Sequence, residues 1–300
     1  MNTPTTAVIG ASGMLGRELV SACAARGIDV IGFGGPEALD ITESDAVREA
    51  LRGVKLVLNA AAYTDVDGAE SEAAKAMRVN QLGPMNLART CRDNDALLVH
   101  FSTDYVFNGV ASSAYRVEEE PSPLNVYGLS KLAGEHAIRD IGCDHLIIRS
   151  SWLFAPHSRN FVRTILDLSS QRSTLQVVAD QTGRPTACGD LASMTLGLVE
   201  AGAKGTFHAA NHGRCTWFEF AREIVALTDS DCRVEPCKTN DQPRPAPRPR
   251  FGVLDLTETI KLIGKPRHWK AALRDCVEAL VVAGRAAPGG QTISPTVQER

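Results

Sequence analysis

The sequence predicts an α/β protein: a Rossmann-type doubly wound parallel sheet with a smaller C-terminal α/β lobe. Three observations predict it. A buried-strand run, Thr6-Ala7-Val8-Ile9, enters a turn of spaced glycines and then a helix. Apolar strands and helices go on alternating, as in a parallel sheet covered on both faces. After Ser150 the elements become more mixed, which marks a second lobe. The expected division is 1–150 for the Rossmann domain and 151–283 for a substrate-binding lobe, with some chain crossover. A flexible tail is expected over 284–300.

The first strand ends in Gly10-Ala11-Ser12-Gly13-Met14-Leu15-Gly16, and Arg17 to Arg26 follows as a helix closed by Gly27. A tight turn, a close approach to a pyrophosphate and close helix–strand packing each favour a residue without Cβ. The helix start then offers free N–H groups to phosphate. A plain βα turn would carry one glycine, and three at this spacing point to a dinucleotide.

The second strand, Ile28 to Phe33, ends in Phe33-Gly34-Gly35. An acid here would bind the ribose hydroxyls of NADH and an Arg the 2′-phosphate of NADPH. Neither is present, so both cofactors stay open. Asp40, beside Ile41, either approaches the adenine end or belongs to the turn. Thr42 or Ser44 can cap the helix Asp45 to Arg52.

Lys55 to Asn59 forms the third strand, and Ala60-Ala61-Ala62-Tyr63-Thr64-Asp65-Val66-Asp67 follows. Small residues beyond a strand's carboxyl end suit a backbone pressed against a cofactor. Helical segments lead through Asn80, a polar anchor or a cap, to Arg92. The fourth strand, Leu97 to Phe101, delivers Ser102-Thr103-Asp104-Tyr105 to the edge where open α/β sheets bind ligands. A helix from Tyr127 to Arg139 and a strand over Leu146–Arg149 complete this half. The second half reads as helices around 160–169, 191–200, 218–227, 255–263 and 269–282, with strands near 175–178 and 206–209.

Within the helix that starts near Tyr127, Tyr127 and Lys131 stand four residues apart, one helical turn, on one face. A phenol is a poor acid or base at neutral pH, and a nearby ammonium would draw its pKa down. The pair is therefore a candidate general acid/base. Alone it also fits an ordinary solvated helix face, and its context carries the reading.

Composition excludes other classes. A net charge of −3 and 5% aromatic residues give no basic or stacking surface for nucleic acid. No run of about 18 apolar residues could span a membrane, and no basic, apolar leader opens the chain. A cytoplasmic location is expected. The eight cysteines are scattered without Cys-x-x-Cys and read as reduced thiols, and neither they nor the histidines form a metal-ligand pattern.

With these pieces in place the sequence resembles the extended short-chain dehydrogenase/reductase family, and within it the branch of the dTDP-4-dehydrorhamnose reductases. The likeness runs over nearly the whole chain short of the tail. Its motifs are the glycine turn, Asn59 to Asp67, Ser102-Thr103-Asp104-Tyr105-Val106-Phe107 and Val126-Tyr127-Gly128-Leu129-Ser130-Lys131. Arg149-Ser150-Ser151-Trp152-Leu153-Phe154, Asp180 to Thr186 and Ala246-Pro247-Arg248-Pro249 follow.

The resemblance implies reduction of the C4 ketone of a nucleotide sugar with NADPH or NADH. Tyr127 donates the proton, Thr103 holds the carbonyl, and Lys131 holds the nicotinamide ribose and lowers the Tyr127 pKa. Asp104 stands near the sugar or nicotinamide. Gly10, Ser12, Gly13, Met14, Leu15, Gly16, Asp40, Ile41, Ala60, Ala61, Ala62 and Tyr63 border the cofactor. Thr64 and Val66 border the substrate. Trp152 offers a wall for a sugar face, or is a core Trp. Asn160, Arg184 and Arg248 are candidates for the nucleotide diphosphate, where a guanidinium suits phosphate, although most Arg are ordinary surface. Some relatives dimerise with Mg²⁺, so a homodimer and that ion are implied by likeness alone, with no metal ligands assignable here. Dehydratase relatives carry Thr-Asp-Glu where Tyr105 follows Thr103-Asp104, which argues against water elimination. Another nucleotide-4-keto-sugar reductase or epimerase, or a non-catalytic NADP-binding regulatory subunit, are the alternatives.

Overall fold

Gly10 sets the geometry of the nucleotide-binding half. Its φ is +73°, and a Cβ there would lie 2.8 Å from the backbone N of Ala61, so the first βα turn can press against the third strand only with glycine. A computed structural model describes residues 5–286. In chain order the first half runs β1 (Thr6–Ile9), α1 (Met14–Ala25), β2 (Val30–Phe33), α2 (Ser44–Ala50), β3 (Leu56–Asn59), α3 (Gly68–Ser71) and α4 (Ala73–Met77). A π-turn at Arg78–Leu82 leads into α5 (Gly83–Asp93), β4 (Leu97–Thr103), α6 (Val126–Ile141) and β5 (His145–Ser150).

The second half contains β6 (Leu153–Phe154), α7 (Phe161–Ser169), β7 (Thr174–Val178), β8 (Thr182–Gly183), β9 (Thr186–Ala187) and α8 (Cys188–Glu200). Then come β10 (Gly205–His208), β11 (Cys215–Thr216), α9 (Trp217–Ala226), β12 (Arg233–Cys237), α10 (Thr257–Ile263) and α11 (Trp269–Ala286). The last helix extends to Ala286, past the expected start of a tail at 284. The rest of that stretch lies outside the described residues.

The main sheet has the order β10-β5-β4-β3-β1-β2, and every pairing is parallel. The strand order reverses between β1 and β3, and ligands of open α/β sheets sit outside the carboxyl ends at such a switch point. One face of the sheet buries Val8, Leu19, Leu58, Val99, Leu146 and Ile148, together with Cys188 and Leu191 of α8. The other buries Ile9, Val47, Leu51, Val57, Leu87 and Ile138. The apolar runs of β1 and β4 are thus covered on both sides, as their lack of alternation predicts.

After Ser150 the chain leaves the sheet and returns to it. α8 packs on α1, and β10 adds the outermost strand beside β5. The remaining segments build a second core of Phe154, Val162, Ile165, Leu175, Phe220, Ile224, Trp269 and Leu273, with β7 and β12 as a small parallel pair. Among the described residues no helix is long and apolar enough to cross a membrane.

Two local expectations are corrected. Neither Thr42 nor Ser44 caps α2: the helix begins at Ser44 after Glu43, without a side-chain cap. The Thr42 hydroxyl instead donates to Asp40 Oδ1 at 2.8 Å and accepts from Arg78. Asn80 is an anchor and not a cap, for reasons given below.

Candidate active site

A cavity of about 910 Å³ opens at the carboxyl ends of β1, β3 and β4. Gly13 precedes α1 without donating or accepting through a side chain, and no acid stands in the helix's first turn. Uncapped N–H groups at a helix start are ready donors to an anion. Ser12, Gly13, Met14 and Leu15 border the cavity there, as do Gly10, Asp40, Ile41, Ala60, Ala61, Ala62, Tyr63, Thr64 and Val66. Gly16 is set back, and its missing Cβ is what lets α1 approach the carbonyl of Gly10. This cradle fits a dinucleotide.

Asp40 belongs to the turn, as one of its sequence readings expects, and also stands at the cavity. Its Oδ1 accepts from the backbone N–H and hydroxyl of Thr42 at 2.9 and 2.8 Å. The Thr42 backbone bond foremost holds its carboxyl below the usual range.

Asn80 holds the opposite wall. Its Oδ1 accepts from the Tyr63 N–H at 2.8 Å, and its Nδ2 donates to the Tyr63 carbonyl at 3.0 Å and to Ser130 Oγ at 2.9 Å. One buried amide in the π-turn therefore ties the alanine strip to α6, the helix that carries Tyr127 and Lys131.

Helix α6 begins with Asn125, whose Oδ1 accepts from the Gly128 N–H at 2.7 Å. A Cβ on Gly128 would overlap the Tyr105 carbonyl oxygen, so glycine lets α6 lie against the turn after β4. That contact sets Tyr127 edge-on to Tyr105, with ring centroids 5.8 Å apart. Thr103, Asp104, Tyr105, Tyr127 and Lys131 all border the cavity.

The electrostatics correct one expectation. Lys131 does not draw down the Tyr127 pKa in this structure. Burial foremost, then the Asp104 charge, push the phenol up to about 12, against a lowering by the Thr103 hydrogen bond. Lys131 is itself buried, and desolvation lowers its pKa to about 8, with the Glu135 charge acting the other way. Its Nζ lies 3.3 Å from His100 Nε2. Asp104 is only 3% exposed, and burial raises its pKa to about 7 although Thr103 donates to it.

Trp152 borders the cavity with φ at +50°, and its ring stacks on Trp217 at 3.5 Å and 9°. It is both a cavity wall and part of an aromatic cluster with Phe161. Three sequence candidates are engaged elsewhere. The Asn160 Oδ1 caps α7, and its Nδ2 donates to the carbonyls of Ala155 and Ser158. The Arg184 guanidinium donates to the carbonyls of Leu254 and Gly213. Arg248 is paired with Asp67 through two bonds of 2.8 and 3.0 Å. None of the three borders the cavity.

Arg159 and Trp217 are among the bordering residues that escaped the sequence reading. A signal for the first existed: an Asn before a helical run is a preferred cap, so Asn160 is committed to the helix and its neighbour is the freer group. Nothing in the sequence brings Trp217 beside Trp152. Among the described residues no three His, Cys, Asp or Glu side chains gather as for a metal, so they show no donor set for the Mg²⁺ that the family likeness implied.

Comparison with known proteins matches this architecture. The model of the RmlD substrate binding domain matches residues 5–282. The dTDP-4-dehydrorhamnose reductase of Mycolicibacterium smegmatis is 41% identical over 286 residues, covering 94% of this chain and 87% of that protein. A probable dTDP-4,6-dihydroxy-2-methyloxan-3-one 4-ketoreductase of Streptomyces antibioticus is 39% identical, covering 92% and 95%. The crystal structure of dTDP-4-dehydrorhamnose reductase from Bacillus anthracis in complex with NADP is 33% identical. It superposes with a TM-score of 0.86 over 93% of this chain and 98% of that one. With the glycine cradle, the Thr103–Tyr127–Lys131 set and matches spanning nearly the whole chain, the protein belongs to the RmlD family, the family of the dTDP-4-dehydrorhamnose reductases.

Proposed function

We propose that the protein reduces the C4 ketone of dTDP-4-dehydro-L-rhamnose to give dTDP-L-rhamnose with NADPH or NADH, with Tyr127 as the proton donor. The observation that carries this reading is the convergence of Thr103, Tyr127 and Lys131 with the glycine cradle in one cavity. The dinucleotide, when bound, supplies the hydride. The chain's own groups meet the charge that develops on the ketone oxygen. Thr103, fixed by accepting the Tyr105 N–H at 3.1 Å, turns its hydroxyl from Asp104 to that oxygen when the sugar is bound. Tyr127 borders the cavity and carries its proton at neutral pH, and against the rise from burial the Thr103 hydrogen bond draws its pKa down. Donors fixed in a dry site favour the transition state because they need no reorganisation when charge appears.

The aromatic pair Trp152 and Trp217 gives the sugar nucleotide an apolar wall, and Arg159 gives a diphosphate a cation at the rim. Tyr105, where a dehydratase would place a carboxylic acid, leaves no extra acid to eliminate water. A panel of dTDP-, UDP- and GDP-4-keto sugars with NADPH and with NADH tests the reading. Oxidation of cofactor dependent on dTDP-4-dehydrorhamnose is expected, and a folded protein inert toward it would sink the proposal. A second reading, reduction of another dTDP-4-keto sugar, is favoured by the similarity to the S. antibioticus ketoreductase. The same panel decides between them.

A further inference from the structure

The segment 155–160, between β6 and α7, lies along α1 beside the glycine turn. His157 Nε2 is 2.8 Å from Glu18 Oε1, and His157 Nδ1 is 3.0 Å from Ser158 Oγ. A carboxylate only accepts, so an imidazole N–H sits on Nε2 and donates to Glu18. A neutral ring and a charged one both satisfy this bond. The two side chains are 27% and 24% exposed, so water reaches the pair only in part.

Asn160 closes the segment on itself. Its Nδ2 donates to the carbonyls of Ala155 at 2.6 Å and Ser158 at 2.8 Å, and its Oδ1 accepts the Val162 N–H at 3.0 Å. The same Nδ2 lies 3.8 Å from Met14 Sδ. Met14 and Glu18 stand one turn apart on one face of α1. The segment therefore meets α1 at two points of that face, one of them at the helix's phosphate-facing end. A Cβ on Gly189 would stand 3.3 Å from Glu18 Oε2, so a glycine at the start of α8 leaves the carboxylate its place. Ser158 and Arg159, the residues between His157 and Asn160, border the cavity together with Gly13 and Met14.

We propose that His157, through its bond to Glu18, is a positioning residue for the dinucleotide: it pins the segment to α1 so that Ser158 and Arg159 stand over the phosphates that the N–H groups of α1 receive. The bond itself touches no nucleotide. Its effect is to have the hydroxyl and the guanidinium in place beforehand. A segment ordered in advance spares the binding step the cost of ordering it. The internal bonds of Asn160 carry the pin at His157 through to Arg159, two residues on. The contact with Met14 puts the pair on the dinucleotide side of the cavity, away from the Trp152–Trp217 wall. The inference rests on the dinucleotide reading of the cradle and not on which sugar is reduced.

The test is equilibrium binding of NADPH to the full chain without sugar, read by the fluorescence of the nucleotide. A Gln amide reaches as far as the Nε2 of His, and an Asn amide only as far as Nδ1. His157→Gln should keep the bond to Glu18 and bind NADPH like wild type. His157→Asn should lose it and bind about fivefold more weakly, the ordering of one segment returned to the binding step. Glu18→Ala should match His157→Asn, and it carries the same comparison if His157→Asn does not fold. In an Arg159→Ala background, His157→Asn should cost little more, because His157 acts through that cation. A merely structural role would cost the same in both backgrounds. Wild-type affinity in folded His157→Asn would overturn the proposal. So would an equal loss with and without Arg159, and so would a His157→Gln as weak as His157→Asn. An effect confined to the KM of the sugar nucleotide would also overturn it. A wild type that binds NADPH but reduces no sugar would remove the reductase reading and leave the pin standing. One that binds no dinucleotide would remove both.

Discussion

The Thr103 hydroxyl lies 3.2 Å from Asp104 Oδ1, and the other carboxyl oxygen, Oδ2, is buried with no partner. A carboxyl placed this way is easier to hold as the neutral acid than as the anion, which is why its pKa rises to about 7 with burial as the leading cause.

A pH-dependent stability follows. The Asp104 carboxyl binds its proton more tightly in the folded chain than in the unfolded one. Its favourable contribution is complete below the ordinary Asp pKa and is lost as pH rises through about 7. Asp104→Asn removes this dependence. Relative to wild type, the variant should gain a few kcal/mol between pH 4 and pH 8, at ~1.4 kcal/mol per pH unit of displaced titration. Urea denaturation at the two pH values measures it, and parallel stabilities would refute the assignment.

Tyr127→Phe removes the proposed proton donor and leaves the ring packed against Tyr105. Turnover should fall by about 10²–10⁴, the usual worth of a general acid. NADPH affinity, followed by the fluorescence of the bound nucleotide, should hardly change. Retention of turnover would remove Tyr127 from the chemistry and return attention to Asp104.

Arg159 borders the cavity, exposed, and makes no ion pair among the described residues. Its neighbour Asn160 reaches Met14 at the start of α1, so Arg159 stands on the dinucleotide side. Arg159→Ala should weaken NADPH binding about tenfold, the loss of one charge-assisted contact. Equilibrium binding checks this, and a change confined to the KM of the sugar nucleotide would place Arg159 on the other ligand.

Glu135 and Arg149 form a buried bidentate pair with bonds of 2.9 and 2.8 Å. Burial works against the Glu135 charge, but the bonds from Arg149 outweigh it and hold the carboxyl below its usual pKa. The pair's contribution is therefore present above the ordinary Glu pKa and fades as pH falls through the depressed folded value. Glu135→Gln strands the guanidinium and should cost about 3–5 kcal/mol at neutral pH. Thermal melts should show a drop on the order of 10 °C, with a smaller difference from wild type in acid.

Much of this was legible in the chain itself. The glycine spacing and the unbroken apolar runs specify β1, α1 and the parallel sheet, because each responds to neighbours close in sequence or to burial on both faces. The Tyr127–Lys131 spacing gave the helix face correctly. What it could not give is the environment: the phenol pKa depends on burial and then Asp104, and the lysine on burial and then Glu135. The arginines show the same limit. Arg184 and Arg248 fit a diphosphate by residue type, but their fork geometry is used by the Leu254 and Gly213 carbonyls and by Asp67. Pairings between residues 29 to 181 positions apart are set by the fold and leave no local mark.

The return of α8 and β10 to the main sheet makes the two halves interdependent. A fragment ending at Ser150 would expose the edge of β5 and uncover Val8, Leu19 and Leu146 on one sheet face. Open, apolar strand edges recruit other chains. The second half, cut free, would carry a strand and a helix with nothing to pack on. Fragments divided there should aggregate separately and recover solubility only when co-expressed. The nucleotide cradle is not a detachable module, because the later sequence supplies part of its foundation through α8 and β10.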